Sequence, residues 1–274
     1  MNSTQQRALV ALLEDGDAPT IEMVKRELIK STDTNIEELE ELLRVGSANA
    51  SGHLRDVIGR IESAQNLGNI SRGLARLKTF AQLEELCWDL ARADQPGFDG
   101  GPYSRQLDAW GEALRAYLAK GATTEEQVRA LTRYLAYDQR LTGNHHDYYH
   151  PRNCFLPWVI EFRQGLPITL TLIYILVGRR AGLEVEGISA PGHFLARVGH
   201  VYFDPYYSGR ILTESEWDRI NAEISEQNRD QINKPCTPLQ MMHRLLIYMR
   251  NAYIKRDDNE RQKKVDQYLA VLQH

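Results

Sequence analysis

NCFLPWVIEFRQGLPITLTLIYILVGRRAGLEVEGISAPGHFLARVGHVYFDPYYSGRILT, residues 153–213, places one apolar helix and a run of β structure in close succession. Gly165 gives a turn. Pro167 suits the first position of a helix, where a missing backbone N–H costs nothing, and Leu170, Ile173, Tyr174 and Val177 then recur at helical spacing. Gly182 ends that helix. The apolar run from Leu166 to Gly178 falls well short of the roughly 20 residues that cross a bilayer, so it reads as a buried helix. After it, LEVEGISA and HFLARV alternate or cluster apolar residues, and Gly199-His200 turns the chain into VYFD. The pattern predicts β structure only between Leu183 and Asp204, with helices elsewhere.

Within this stretch Pro167 opens a helix, His193 follows Pro191-Gly192 at the start of a strand, and Asp204 precedes Pro205 at the end of the next. Helix start, strand histidine and strand-end aspartate in that order describe a cysteine-protease-like triad scaffold. The order and spacing resemble the transglutaminase-like superfamily, in which Gly-x-Cys opens a helix, a His lies on the next hairpin and an Asp precedes a proline. GLPITL (165–170), PGHFLARV (191–198) and FDPYYSG (203–209) are most similar to its SirB-type members. The likeness extends upstream through YYHPRNCFLPWVIEFR and LEELCWDLARADQP and downstream to LLIYMRNAYI, from about Thr79 to the C-terminus.

The resemblance implies an α+β, mostly helical fold: a transglutaminase-like core with a small antiparallel sheet. Counted back from Gly182, the family's cysteine coincides with Pro167. His193 and Asp204 would then be the remnant of a triad in a pseudoenzyme, with Gly165, Pro167, Tyr206 and Tyr207 as binding residues of its groove. No cofactor and no metal are implied. The function expected is a non-catalytic, regulatory module that binds a protein or peptide. The alternative is a hydrolase or transferase in which His193 and Asp204 act without a cysteine.

Composition narrows the class. Hydrophobic residues at 42% and charged residues at 26% of 274 are those of an ordinary globular protein, large enough to need no disulfide or metal staple. Cys87, Cys154 and Cys236 are odd in number, widely spaced and without a C-x-x-C pair, which fits reduced thiols in a cytoplasm. The opening MNSTQQRALVALLEDGD lacks a basic region followed by an apolar one, so no secretion signal is expected. A formal charge of −4 disfavours nucleic acid and anionic membrane surfaces as partners.

Outside the deciding stretch the signals are helical. Residues 1–75 read as a helical module of short amphipathic elements, weakly similar to HEAT-type repeats, ahead of a transglutaminase-like domain over 76–274 with its core at 143–213 and C-terminal helices at 214–272. In the module, Leu9, Leu12 and Leu13 precede a break at Asp15-Gly16-Asp17 and Pro19 restarts the pattern with Val24, Leu28 and Ile29. A capping box at Thr34-x-x-Glu37 opens a helix stopped by Gly46, whose acidic residues 37, 38, 40 and 41 make a solvated face. Further boxes stand at Thr79/Gln82, Thr123/Glu126, Thr213/Glu216 and Thr237/Gln240, the last with Pro238 at the first helical position and a helix to about Tyr253. A final helix covers Asn259 to Leu272.

The remaining chemistry-bearing residues read as structural. Thr169 and Thr171 lie in the apolar helix at positions ill suited to a nucleophile, and Cys154, though Asn153 could cap a helix beginning there, reads as a small buried thiol. His145, His146 and His150 with Tyr148 and Tyr149 read as a polar loop, lacking Cys or acid partners at metal-ligand spacing. Arg179 and Arg180 complement the negative end of the apolar helix.

Overall fold

A computed structural model describes residues 3–31, 34–45, 48–95, 97–190, 192–222 and 234–272. The chain divides into two compact units, residues 1–69 and 70–274.

The first unit contains α1 (Ser3–Asp15), α2 (Ala18–Lys30), α3 (Ile36–Val45) and the start of α4 (Ala48–Arg76). Leu13, Leu28, Leu39 and Leu54 meet in its core. Two local expectations are corrected. Leu12 is 46% exposed, because the inward stripe of α1 runs through Val10 and Leu13. The cap of α3 is Asn35, whose Oδ1 accepts from Glu38 N–H at 3.4 Å, while the Thr34 hydroxyl ties back to the Leu28 carbonyl at 2.7 Å. Asn is at least as good a cap as Thr, so one residue's shift is cheap. The succession of short helices also fails over residues 48–76, which form one helix of 29 residues. Gly46 lies outside the described residues.

In the second unit the Thr79/Gln82 and Thr123/Glu126 boxes start α5 (Phe80–Asp94) and α7 (Thr124–Thr132), both with reciprocal hydrogen bonds. Between them runs α6 (Gly101–Tyr117), which has Gly100 rather than Ser or Thr at its cap and so carried no start signal. A π-helical turn (Arg133–Asp138), a 3₁₀ turn (Pro151–Cys154) and the short α8 (Leu156–Phe162) lead to α9 (Pro167–Ala181). Strands β3 (Val185–Ala190), β4 (His193–Val198), β5 (Val201–Asp204) and β6 (Arg210–Ile211) form an antiparallel sheet in that order. α10 (Glu214–Ala222) and helices Pro238–Lys255 and Asn259–Val271 follow. Two short elements extend the β structure past the expected limits. β6 is one, and the other is a parallel pair of β1 (Thr142–Gly143) with β2 (Gln164–Gly165).

α9 is buried on all sides, which explains its unbroken apolar run. On one side it meets α6, where a Cβ on Gly111 would stand 2.3 Å from Arg180. Arg180 also pairs with Glu84 and Asp108, at 2.9 and 2.6 Å, so it joins three helices besides answering the helix dipole. On the other side α9 meets the sheet. Ile188, Ala190 and Leu195 pack instead with Tyr202, Trp217 and Ile220.

Candidate functional site

His193 and Asp204 come together because of hairpin register. β4 pairs with β5 through Ala196↔Phe203 and Arg197↔Tyr202, so His193 and Asp204 lie on one face as diagonal neighbours, within reach of long side chains. His193 Nε2 stands 2.7 Å from Asp204 Oδ2. The other oxygen, Oδ1, accepts the backbone N–H groups of Tyr206 and Tyr207 at 3.0 and 3.3 Å. Asp204 therefore holds the turn that follows it and orients the imidazole at once. With Nε2 turned to the carboxylate, Nδ1 keeps no hydrogen-bond partner among the described residues.

The start of α9 points to the same end of the sheet. Gly178 packs on Val185, Tyr174 on Phe203, and the Thr171 hydroxyl donates to the Phe194 carbonyl at 3.4 Å. Toward its N-terminus the helix thus tracks β4 toward His193, and Pro167 lies one turn, about 6 Å of rise, beyond Thr171. Pro167 is buried and has no N–H. Thr169 and Thr171 are fully buried. The Thr169 hydroxyl accepts from Leu166 N–H at 2.9 Å and donates to the Asn153 carbonyl at 3.0 Å, closing the helix start. Neither threonine is free to act as a nucleophile.

Gly165 sits in β2, not in a free turn, and a Cβ there would come within 2.8 Å of both Thr169 and Val159. β1 joins this segment to the dyad. Asn144 N–H donates to the Gly165 carbonyl and Gly143 N–H to the Tyr206 carbonyl, each at 3.0 Å. The Tyr206 hydroxyl returns to the Asn144 carbonyl at 3.1 Å. Gly143 and Asn144 are site residues that sequence reasoning missed, since a two-residue strand leaves no pattern.

Of the four expected binding residues, Gly165, Pro167 and Tyr206 are buried and Tyr207 is 54% exposed. The accessible surface beside the dyad is built by Tyr207, the edge of His193 and His145, whose ring lies 4.6 Å from that of Tyr206 and 5.4 Å from that of Tyr207. The His145 loop is therefore more than a polar connection. Tyr148 stands 6.0 Å from Tyr206 and 6.2 Å from Tyr248, extending the aromatic cluster. Behind His193, the Arg244 guanidinium approaches its carbonyl at 3.5 Å.

No cluster of metal-ligating side chains occurs among the described residues. His150 Nδ1 accepts from Arg152 N–H at 3.2 Å to cap the 3₁₀ turn, and burial holds its pKa below the ordinary histidine value. Cys154 ends that turn instead of beginning a helix, and burial pushes its thiol and that of Cys87 well above the usual range. Cys236 is half-buried, its thiol also raised by desolvation. No helix among the described residues is long and apolar enough to cross a membrane.

A UPF0162 protein of Xylella fastidiosa is 33% identical over 178 residues, covering 61% of this chain and 63% of that protein. A UPF0162 protein of Pseudomonas aeruginosa is 29% identical, over 63% of this chain and 65% of its own. The chain thus spans somewhat under two thirds of these curated relatives. F-box only protein 21 of Mus musculus is 27% identical over 161 residues, 54% of this chain and 26% of that protein. No solved structure matches. Residues 102–247 match the family model for the transglutaminase-like superfamily, and these include β1, α9, the dyad hairpin and Arg244. The chain belongs to the transglutaminase-like superfamily.

Proposed function

We propose that this protein is a non-catalytic, SirB-type transglutaminase-like module that binds a protein or peptide across the surface made by His193, Tyr207 and His145, and acts in regulation. The observation that carries this reading is Pro167: the helix start that would present a thiol to His193 carries a buried proline, and no cysteine stands there. Covalent thiol catalysis is lost with it. The match to F-box only protein 21, where the shared region is 26% of the protein, is consistent with a part that serves within a longer chain. A separate helical, HEAT-like module before about residue 75 and a cytoplasmic setting, consistent with three free cysteines, complete the proposal.

The test is selection from a displayed library of random peptides, followed by calorimetry on the winners. Binding that weakens in Tyr207→Ala and His193→Ala supports the reading, and a library from which nothing is enriched sinks it. A second reading is favoured by one observation, the free Nδ1 of a histidine fixed at 2.7 Å from Asp204. There Nδ1 takes a proton from water as its oxygen attacks an acyl carbon, and returns that proton to the alcohol or amine that leaves when the acyl bond breaks. Turnover of ester or amide substrates that survives removal of all three cysteines but not His193→Ala would favour it.

A further inference from the structure

Beside Trp158 lies a pocket of about 190 Å³ that the dyad does not use, lined by Asn144, His150, Arg152, Trp158, Phe162 and Gln164. We propose that it receives a carboxylate of the bound peptide, an Asp or Glu side chain, with Arg152 as the counter-charge. The inference rests on the peptide-binding reading above and names the chemistry of the ligand.

Arg152 is the reason. Its guanidinium lies 3.9 Å over the Trp158 ring, which is itself stacked on Phe162 at 4.5 Å and 20°. A guanidinium seated on an aromatic face keeps its in-plane N–H fork free, and that fork matches the two oxygens of a carboxylate. Arg180, Arg197, Arg256 and Arg261 each hold a carboxylate, whereas Arg152 has none among the described residues.

The pocket's wall is set in advance. Asn144 Nδ2 donates to Asn153 Oδ1 at 3.1 Å, and Asn153 Nδ2 donates to the Asp147 and Tyr148 carbonyls at 2.8 and 3.0 Å. These amides are spent on holding the loop, which leaves the arginine fork, the outer nitrogen of His150 and the exposed Gln164 to meet a ligand. The pocket also adjoins the dyad surface. Asn144 accepts from Tyr206 and is followed by His145, which packs on Tyr206 and Tyr207. The pocket and the dyad surface thus share the consecutive residues Asn144 and His145, so one peptide can be tested against both.

The test repeats the peptide selection with wild-type, Arg152→Gln and Arg152→Glu proteins, then measures affinity for the winning peptide and its Glu→Gln or Asp→Asn form. The inference expects an acidic residue at one fixed position with wild-type, lost with Arg152→Gln and replaced by Lys or Arg with Arg152→Glu. Removing either charge should weaken binding about tenfold, and removing the second should cost little more. Enriched peptides with no fixed acid, or an acid required equally by Arg152→Gln, overturn it while leaving the peptide-binding reading standing. If wild-type enriches nothing, that reading fails first and takes this one with it.

Discussion

Asp204 Oδ2 meets His193 Nε2 at 2.7 Å while Oδ1 meets the Tyr206 N–H at 3.0 Å, so one buried carboxylate fixes both an imidazole and a turn. Asp204→Ala strands a buried backbone donor and should destabilise the fold by about 2–4 kcal/mol, whereas Asp204→Asn keeps one acceptor oxygen and should cost less. Urea denaturation of both variants measures the difference. Equal losses would mean that the turn does not depend on Oδ1.

Pro167→Cys should create a thiol that responds to His193. Helix N-termini and imidazoles lower thiol pKa to roughly 3.5–7.5 from about 8.5, while the burial of this position opposes ionisation. The comparison is therefore internal: with Cys87, Cys154 and Cys236 replaced, the pH of half-maximal alkylation should rise by about one unit when His193→Ala is added. No change on adding His193→Ala would separate the helix start from the imidazole.

The native thiols should be poor nucleophiles. Cys87 and Cys154 are buried with raised pKa values, and Cys236 is half-buried. Iodoacetamide at neutral pH should label Cys236 slowly and the other two only after unfolding, as read by peptide mass spectrometry. Rapid labelling of Cys154 would contradict its burial and reopen thiol chemistry near the site.

Acid should act on α10 through Glu216. Its carboxylate accepts the Thr213 N–H at 2.9 Å, pairs with Arg210 and accepts the Thr213 hydroxyl at 3.0 Å, which hold its pKa down to about 2. A folded-state pKa below the unfolded value gives stability that is present above the ordinary carboxylate range, about 4.3, and is lost as pH falls toward 2. Melting temperatures between pH 5 and pH 2 should therefore fall more steeply for wild-type than for Glu216→Gln. Parallel profiles would show that this cap contributes nothing.

Gly143→Ala should disturb Tyr206 from across β1. The added methyl would lie 2.6 Å from the tyrosine ring, and overpacking of this kind costs about 1–3 kcal/mol. Thermal unfolding and loss of Tyr207-dependent peptide binding together would place the defect at the site. An unaltered melting temperature would show that the ring yields freely.

The sequence made the fold class readable wherever capping boxes and a long apolar run coincided, as at Thr79, Thr123 and Pro167. The dyad was readable because a hairpin turn at Gly199 fixes the register of its arms. What could not be read depended on contacts distant along the chain. Gly143 and Asn144 bridge Gly165 and Tyr206 through backbone groups, which any residue carries. The burial of Tyr206 follows from that bridge, and the Arg152–Trp158 stack from the turn of residues 151–154 into α8, neither of which leaves a periodic trace.

The two halves of the site differ in the length of chain they close. His193 and Asp204 are 11 residues apart, whereas Tyr206 and Asn144, which form its tyrosine wall, are 62 apart. Closing a short loop costs less entropy than closing a long one, so the hairpin with its imidazole–carboxylate pair should assemble early and the wall late. During synthesis residues 142–144 leave the ribosome first, yet they must wait for residue 206 before β1 has both its neighbours. A chain halted at residue 205 would carry His193 and Asp204 without the tyrosine wall, and on partial unfolding the wall would open first while the pair persisted.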